Sequence, residues 1–309
     1  MMKTARHKSE ATTGRTRSSV AKNARSLLRA RLAKVELLLS HRDVDDVQEQ
    51  THQMRVASRR ADVALRIFRH WIPKDVQRRM QRSLDRIRAD AGAVRDLDLL
   101  CERWQRLIDP PGSAPADVEW LLRRTEKDRC ERRSELGKWL RKPVRLRFHR
   151  HSRSLVDCVR WQGDGKPPTV QHWSARILSK MGRDFEEALN DSGTSLKRCH
   201  RARIRGRRLR YALEQICDAL GTNSEADVCR ELTALQENLG LLNDDSTAIL
   251  YLQAAISDCR DSDLRALLQR RLERLEAVVA EHLVKWNNDC PEYSRQLLAG
   301  IRALTICNA

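Results

Sequence analysis

A stretch that occurs twice is the strongest constraint on how this chain folds. Residues 51–68 read THQMRVASRRADVALRIF, and residues 199–216 read CHRARIRGRRLRYALEQI. The shared positions are His52, Arg55, Arg59 and Arg60 in the first copy and, 148 residues later, His200, Arg203, Arg207 and Arg208 in the second. Self-similarity at one fixed offset is typical of an internal duplication. We therefore expect two similar halves.

The register continues downstream of the repeated stretch. Gly92 corresponds to Gly240 at the same offset, and Asp96 corresponds to Asp244. The two acids have two interpretations at this point. They are either structural carboxylates that orient the repeated arginines, or acids at the start of a helix that follows a glycine break, where the helix dipole favours them.

The periodicity of apolar residues predicts an all-α protein. Apolar positions recur at helical spacing along most of the chain, and no run of four or more residues alternates as a strand does. With the repeat, this predicts two consecutive helical bundles, each containing one copy of the repeated stretch. We expect a disordered basic tail at 1–19, a first bundle at 20–161, a linker at 162–169 (QGDGKPPT) and a second bundle at 170–309. Kinks or breaks are expected at Gly92, between residues 239 and 243, and at Cys290-Pro291.

The repeated residues form a basic stripe when they are placed on a helix. One narrow face carries His52, Arg55, Arg59 and Arg66 in the first copy, and the matching face carries His200, Arg203, Arg207 and Arg210 in the second. Neighbouring like charges cost a helix some tenths of a kcal/mol per pair. Arginine offers forked donors that suit phosphate oxygens, and histidine adds a donor that becomes charged near neutral pH. A basic stripe is often only a solvated face, but its repetition at the same spacings favours a binding face.

The composition indicates an anionic partner. Sixty Lys and Arg against 42 Asp and Glu leave a formal charge of +18, which suits nucleic acid, anionic lipid or inorganic polyanions. Aromatic residues are only 4% of the chain, which counts against single-strand binding by base stacking. Nine cysteines without a C-x-x-C spacing predict neither a metal site nor a disulfide framework. Reduced thiols, no secretory signal and no run of 18 apolar residues predict a cytoplasmic protein without cofactors.

These motifs resemble the CHAD family, the conserved histidine α-helical domain. The resemblance rests on HQMRVASRR with AGAVRDLD and on HRARIRGRRLRYALE with LQENLGLLND, and it covers roughly residues 20–306. It implies two pseudo-symmetric bundles whose basic groove binds inorganic polyphosphate without catalysis, often at polyphosphate granules. The implied ligand residues are His52, Arg55, Arg59, Arg60, Arg66, His200, Arg203, Arg205, Arg207, Arg208 and Arg210.

The sequence departs from the family pattern at Asp62, which stands opposite Arg210 of the second copy. We expect Asp62 to pair with a neighbouring arginine, so that the second half binds more strongly than the first. Family members often carry a CYTH triphosphatase domain, but its E-x-E-x-K signature does not occur here. Two further basic stripes are candidates for widening the groove, namely Arg79, Arg82 and Arg86, and Arg176, Lys180 and Arg183.

Two other function classes remain open. A basic protein of this kind also suits nonspecific DNA or RNA binding, although the stripes offer few groups that read base edges. A phosphohydrolase would need a nucleophile or metal ligand, and the candidates are His149-x-His151 and the triplet His41-Arg42-Asp43. Two histidines at i, i+2 do not share a helical face, and three letters of a kinase loop are a weak signal. We therefore expect no enzyme activity.

Overall fold

A computed structural model of the protein describes residues 19–40, 47–108, 114–192, 195–220 and 225–307. The α-helices are α1 (Val20–Ser40), α2 (Val47–Ile67), α3 (Lys74–Gln105), α4 (Ala116–Gly137), α5 (Lys142–Asp157), α6 (Val170–Asn190), α7 (Leu196–Leu220), α8 (Ala226–Asp258) and α9 (Ser262–Cys307). Short 3₁₀ turns occupy Arg69–Trp71 and Lys138–Leu140. The described ranges contain no strand, and the prediction of an all-α protein is confirmed. Except for Ser19, the predicted tail lies outside the described residues.

The two repeated helices, α2 and α7, have similar neighbours in the fold. Helix α2 packs between α1 and α3, and α7 packs between α6 and α8. The helices also meet across the halves, because α2 contacts α7 and α3 contacts α8. This packing brings the two copies of the repeated stretch to the same region of the molecule.

The apolar face of α2 is buried as its spacing predicts. Ala57, Ala61, Ala64 and Leu65 are each at most 6% exposed, and the small alanines allow neighbouring helices to approach closely. The same apolar cluster includes residues on both sides of the predicted linker, from Leu28 of α1 to side chains of α6 and α7. Residues 162–169 contain no helix. The limits of two separate bundles remain a prediction, since the main core is shared.

Two expected breaks, between residues 239 and 243 and at Cys290-Pro291, are wrong, whereas the kink at Gly92 stays a prediction. Helix α3 continues through Gly92, α8 continues through Gly240, and α9 contains Pro291 in its interior. A glycine costs a helix about 1 kcal/mol and a proline about 3 kcal/mol, and burial of apolar side chains on both sides of each position outweighs these costs. In α8, Leu239 and Leu242 are buried at continuous helical spacing on either side of Gly240.

Candidate functional site

A cavity of about 620 Å³ lies where α2, α3, α7 and α8 meet, and we call it the central cavity. Its lining contains Arg55, Arg59, Arg88, Arg203, Arg207 and Arg208, together with Asp62, Asp85, Asp96 and His200. Six arginines against three aspartates make the wall positive. Gly92 also lines the cavity, and a Cβ added there would meet no atom within 4 Å. The missing side chain therefore leaves open space beside the arginines.

The two basic stripes converge in the central cavity. Burial, followed by the charge of Arg55 on its own helix, lowers the pKa of Arg59 well below its ordinary value. Burial also lowers the pKa of Arg207, and the positive charges of Arg59 and Arg203 lower it further. A guanidinium stays protonated at neutral pH. The lowered pKa values therefore reflect the free-energy cost of holding these charges close together and partly out of water.

Four of the six arginines that line the cavity, Arg208 among them, lack a close acidic partner among the described residues. Within the described residues, no carboxylate oxygen lies within 4.0 Å of a side-chain nitrogen of Arg59, Arg203 or Arg207. Asp244 and Asp96 raise the pKa of Arg203, but they act from beyond ion-pair distance. Elsewhere the described arginines commonly pair with acids, as Arg55 does with Asp96 at 3.6 Å. The positive charge at these three side chains is therefore not neutralised locally.

The structure places Asp96 and Asp244 beside the arginines. Asp96 pairs with Arg55, and burial raises the pKa of Asp96 while Arg55 acts to lower it. The Oδ1 atom of Asp244 accepts a hydrogen bond of 3.3 Å from Asn243. The interpretation of both acids as helix starts is wrong, since they lie inside the continuous helices α3 and α8. Their role in orienting the arginines remains a prediction.

The two histidines occupy different environments. His200 lines the central cavity, and its Nδ1 lies 2.7 Å from Oδ1 of Asn243. His52 is exposed and lies outside the lining of this cavity. The position that corresponds to Asn243 in the first half is Arg95, which pairs with Glu102 at 3.5 Å. The first half therefore lacks the amide that holds His200.

Asp62 pairs with neighbouring arginines, as the sequence predicts. It is 2% exposed and lines the cavity. Its carboxylate accepts hydrogen bonds from Arg66 at 3.1 Å and from Arg88 at 3.2 Å, and Gln81 donates a third. Arg66 lies outside the cavity lining. Arg88 lines the cavity but was missed by the sequence analysis, and its position about one turn before Gly92 is the only signal for it.

Besides His52 and Arg66, three further expected ligand residues lie outside the lining of the central cavity. Arg60 pairs with Glu214 at 3.2 Å, and its guanidinium lies over the Tyr211 ring at 5.4 Å. Arg210 approaches the same two side chains, at 3.5 Å from Glu214 and 4.9 Å from the centre of the Tyr211 ring. The expectation of a stronger second half rested on Arg210 and Arg205, and neither lines the cavity.

Arg205 points toward a different acid. Its Nη1 lies 3.3 Å from Asp184 of α6, in a shallow cavity that also contains Asp191. Arg208, by contrast, lines the central cavity. Of the expected ligand set, the structure brings together Arg55, Arg59, His200, Arg203, Arg207 and Arg208.

The secondary stripes do not widen the central cavity. Arg79 pairs with Asp75 at 2.8 Å, Arg82 is exposed, and Arg86 lies 5.9 Å from the centre of the Trp139 ring. The second stripe, formed by Arg176, Lys180 and Arg183, lines a separate cavity of about 310 Å³.

The two candidate catalytic histidines differ in their contacts, since the buried Nδ1 of His151 has no hydrogen-bond partner among the described residues. His149 Nδ1 lies 2.8 Å from Glu36, and the pKa of His151 is lowered by burial and then by Arg79. The triplet at 41–43 lies outside the described residues. In the ranges that the structure describes, no three His, Cys, Asp or Glu side chains are grouped so that they could hold a metal ion. None of the described helices has the length and apolarity needed to cross a bilayer.

The fold and the cavity define an all-α protein in which arginines from three helices converge on one internal site. The chain belongs to the CHAD family, whose domain model matches residues 24–253. It is similar to the crystal structure of the CHAD domain from the plant Ricinus communis, with a TM-score of 0.65, 21% identity, and coverage of 93% of this chain and 92% of that one. It is also similar to PptA from Streptomyces chartreusis, with a TM-score of 0.66, 17% identity, and coverage of 91% and 99%. No curated protein matches.

Proposed function

We propose that this protein binds inorganic polyphosphate in the central cavity and does not catalyse its hydrolysis. One observation carries the proposal. Arg59, Arg203 and Arg207 converge from two helices, and within the described residues none of them has a carboxylate at ion-pair distance. A ligand that supplies several linked negative charges would offset the repulsion among all three.

A chain of phosphates suits this cluster better than a single phosphate does. Each phosphate accepts charge-assisted hydrogen bonds from a guanidinium, and these are about twice as strong as neutral ones. Once the first phosphate is bound, the next ones bind with a high effective concentration because they are covalently attached. Affinity should therefore rise with chain length until the cavity is filled.

The carboxylates of the cavity favour binding over catalysis. Asp96 pairs with Arg55, while Asp62 and Asp85 both pair with Arg88. Each carboxylate of the described lining thus has a cationic partner. Carboxylates held in this way orient arginines, and they are poorly placed to activate a water molecule. We propose that incubation with polyphosphate and Mg²⁺ or Mn²⁺ releases no phosphate.

Isothermal titration with polyphosphates of graded length tests the proposal. We expect tight binding of long chains, weak binding of orthophosphate and ATP, and a loss of at least about tenfold in Arg59→Gln/Arg207→Gln. The matched control is Arg78→Gln/Arg82→Gln, which removes two exposed arginines of α3 and the same amount of charge. Equal affinity for orthophosphate and long chains, or equal losses in the two double variants, would contradict the proposal.

Competition separates this function from nucleic-acid binding. A duplex presents its phosphates on a convex surface, whereas the unpaired arginines lie in a concave one. We expect nonspecific DNA contact at low salt, since the formal charge is +18. At physiological salt, duplex DNA should not displace polyphosphate when the two are compared at equal phosphate concentration. Displacement at equal concentration would favour the nucleic-acid alternative.

We further propose that polyphosphate binding localises the protein to cytoplasmic polyphosphate granules. A fluorescent fusion should overlap with a polyphosphate stain in cells, and Arg59→Gln/Arg207→Gln should abolish the overlap. The control Arg78→Gln/Arg82→Gln should retain it. A diffuse wild-type fusion in cells that contain granules would contradict this localisation without bearing on the binding itself.

A further inference from the structure

The separate cavity of about 310 Å³ lies between the 3₁₀ turn that follows α2, the segment after α5, and α6. We call it the tryptophan cavity. Its lining includes Arg69, His70, Trp161, His172, Arg176 and Arg183. Among the described residues, none lines both this cavity and the central one. A volume of this size is at the lower end of the range for small-molecule sites.

The wall of the tryptophan cavity is built by hydrogen bonds and ring packing. The backbone N–H groups of Arg160 and Gln162 donate to the carbonyl oxygens of Trp71 and His70, each at 2.9 Å. These bonds fix Trp161, whose ring centre lies 5.0 Å from that of Trp71. On the other side, the Trp173 ring stacks on Phe68 at 4.9 Å. The aromatic surface is therefore preorganised.

The charge of this cavity is entirely positive in the part of the chain that the structure describes. Four cations, Arg69, Arg176, Lys180 and Arg183, line it together with two histidines, and no described acid does. Lys180 pairs with Asp184 at 3.3 Å. Arg176 and Arg183 have no carboxylate within 4.0 Å among the described residues.

The pKa of His70 reports the same positive field. Burial lowers this pKa, and the charges of Arg69 and Arg176 lower it further. The site therefore disfavours an added proton and favours an anion.

We propose that the tryptophan cavity binds a nucleotide, with the base packed against Trp161 and the phosphates held by Arg176 and Arg183. An inorganic anion would need no aromatic surface, and a neutral aromatic molecule would need no cluster of cations. A nucleoside phosphate combines a flat aromatic group with negative charge in one molecule, which matches both features of the lining. This site is independent of the polyphosphate proposal, since its residues and its ligand are different.

Titration with ADP and with pyrophosphate, which lacks the nucleoside, tests the inference. Both are measured in the Arg59→Gln/Arg207→Gln background, in which binding at the central cavity is weakened. We expect ADP to bind at least about fivefold more tightly than pyrophosphate, because stacking of a base on an aromatic side chain strengthens binding by at least this factor. Adding Arg176→Gln/Arg183→Gln should weaken ADP binding at least about tenfold, whereas adding Arg78→Gln/Arg82→Gln should not.

Fluorescence gives a readout of where the base lies. ADP should quench part of the tryptophan emission, and this quenching should be lost in Trp161→Phe, which keeps an aromatic ring and most of the affinity. Equal affinity for pyrophosphate and ADP would overturn the nucleotide inference and leave a plain anion patch. Unchanged ADP binding in Arg176→Gln/Arg183→Gln would overturn it as well. Neither result depends on whether the central cavity binds polyphosphate.

Discussion

Arg207 of α7 and Arg59 of α2 present like charges to one another in the central cavity, and the charge of Arg59 lowers the pKa of Arg207. In the described residues, neither side chain has a carboxylate within 4.0 Å. Apolar side chains of both helices belong to one buried core. The free energy of this burial outweighs the repulsion between the two arginines, which lowers the stability of the unliganded protein. Binding of a polyanion would remove this cost, which couples stability to function.

Replacing Arg207 should make the unliganded protein more stable and a weaker binder. In Arg207→Gln the repulsion from Arg59 is lost. We therefore expect the free energy of unfolding to increase by about 1 kcal/mol and the Tm to rise by about 2 °C. Affinity for long-chain polyphosphate should fall about tenfold, since a charge-assisted hydrogen bond is lost. Calorimetric melting and titration of the same sample measure both effects. The control Arg82→Gln should change neither the Tm nor the affinity. A lower Tm in Arg207→Gln would show that the charge of Arg207 does not destabilise the protein.

Replacing Asp62 should make the protein less stable and a stronger binder of polyphosphate. Asp62→Asn removes the buried carboxylate that Arg66 and Arg88 share, and we expect a loss of about 1–3 kcal/mol of stability. The freed positive charge should raise polyphosphate affinity about threefold or more. Asp75→Asn is the matched control, because Asp75 forms an exposed pair outside the cavity. Denaturant unfolding and titration are the measurements, and a weaker affinity in Asp62→Asn would argue against the site.

The salt dependence of binding should distinguish arginines inside the cavity from those outside it. Each arginine that contacts a phosphate adds about 0.7 to the slope of log affinity against log salt for a single-stranded polyanion. Arg203→Gln should therefore reduce the slope by about this amount between about 50 and 200 mM salt. Arg60→Gln should leave it unchanged, because Arg60 is held by Glu214 and Tyr211. Equal reductions in both variants would place Arg60 in the ligand set after all.

The two histidines should contribute unequally. We expect His200→Ala to weaken polyphosphate binding about fivefold, the effect of one hydrogen bond of about 1 kcal/mol, because Asn243 holds this ring at the cavity. His52→Ala should change the affinity less than about twofold, since His52 is exposed outside the lining. Equal losses in the two variants would indicate that the ligand extends beyond the central cavity to the start of α2.

The sequence predicted the central residues of the site and misjudged its edges. Arg55, Arg59, Arg203 and Arg207 share their helical faces with the histidines, and all four line the central cavity. Arg88 was missed because it lies on α3, whose inward face depends on how α3 packs against α2. A periodic pattern places a side chain relative to its own helix axis, and it does not identify the group on the neighbouring helix.

The ion pairs show the same limit of prediction from sequence. Among the expected ligands, Arg60 and Arg205 were implied by the family resemblance, and Arg210 also by its helical spacing. Glu214 holds two of them, and Asp184 of α6 holds the third. The acids that hold Arg60 and Arg205 are distant in sequence, so these two contacts leave no local signal, whereas Arg210 and Glu214 form an i, i+4 pair on one helix.

The sequence by itself determined the helical character of the chain, the repeated stretch and the basic faces of α2 and α7, because these follow from local periodicity and residue chemistry. Only the tertiary structure decided which charges remain without partners. Arg59 and Arg207 lie far apart in sequence, and their interaction falls with distance and with exposure to water. The packing of α2 against α7 sets both the distance between the two arginines and their exposure to water. It thereby brings two helical stripes together as one candidate anion site.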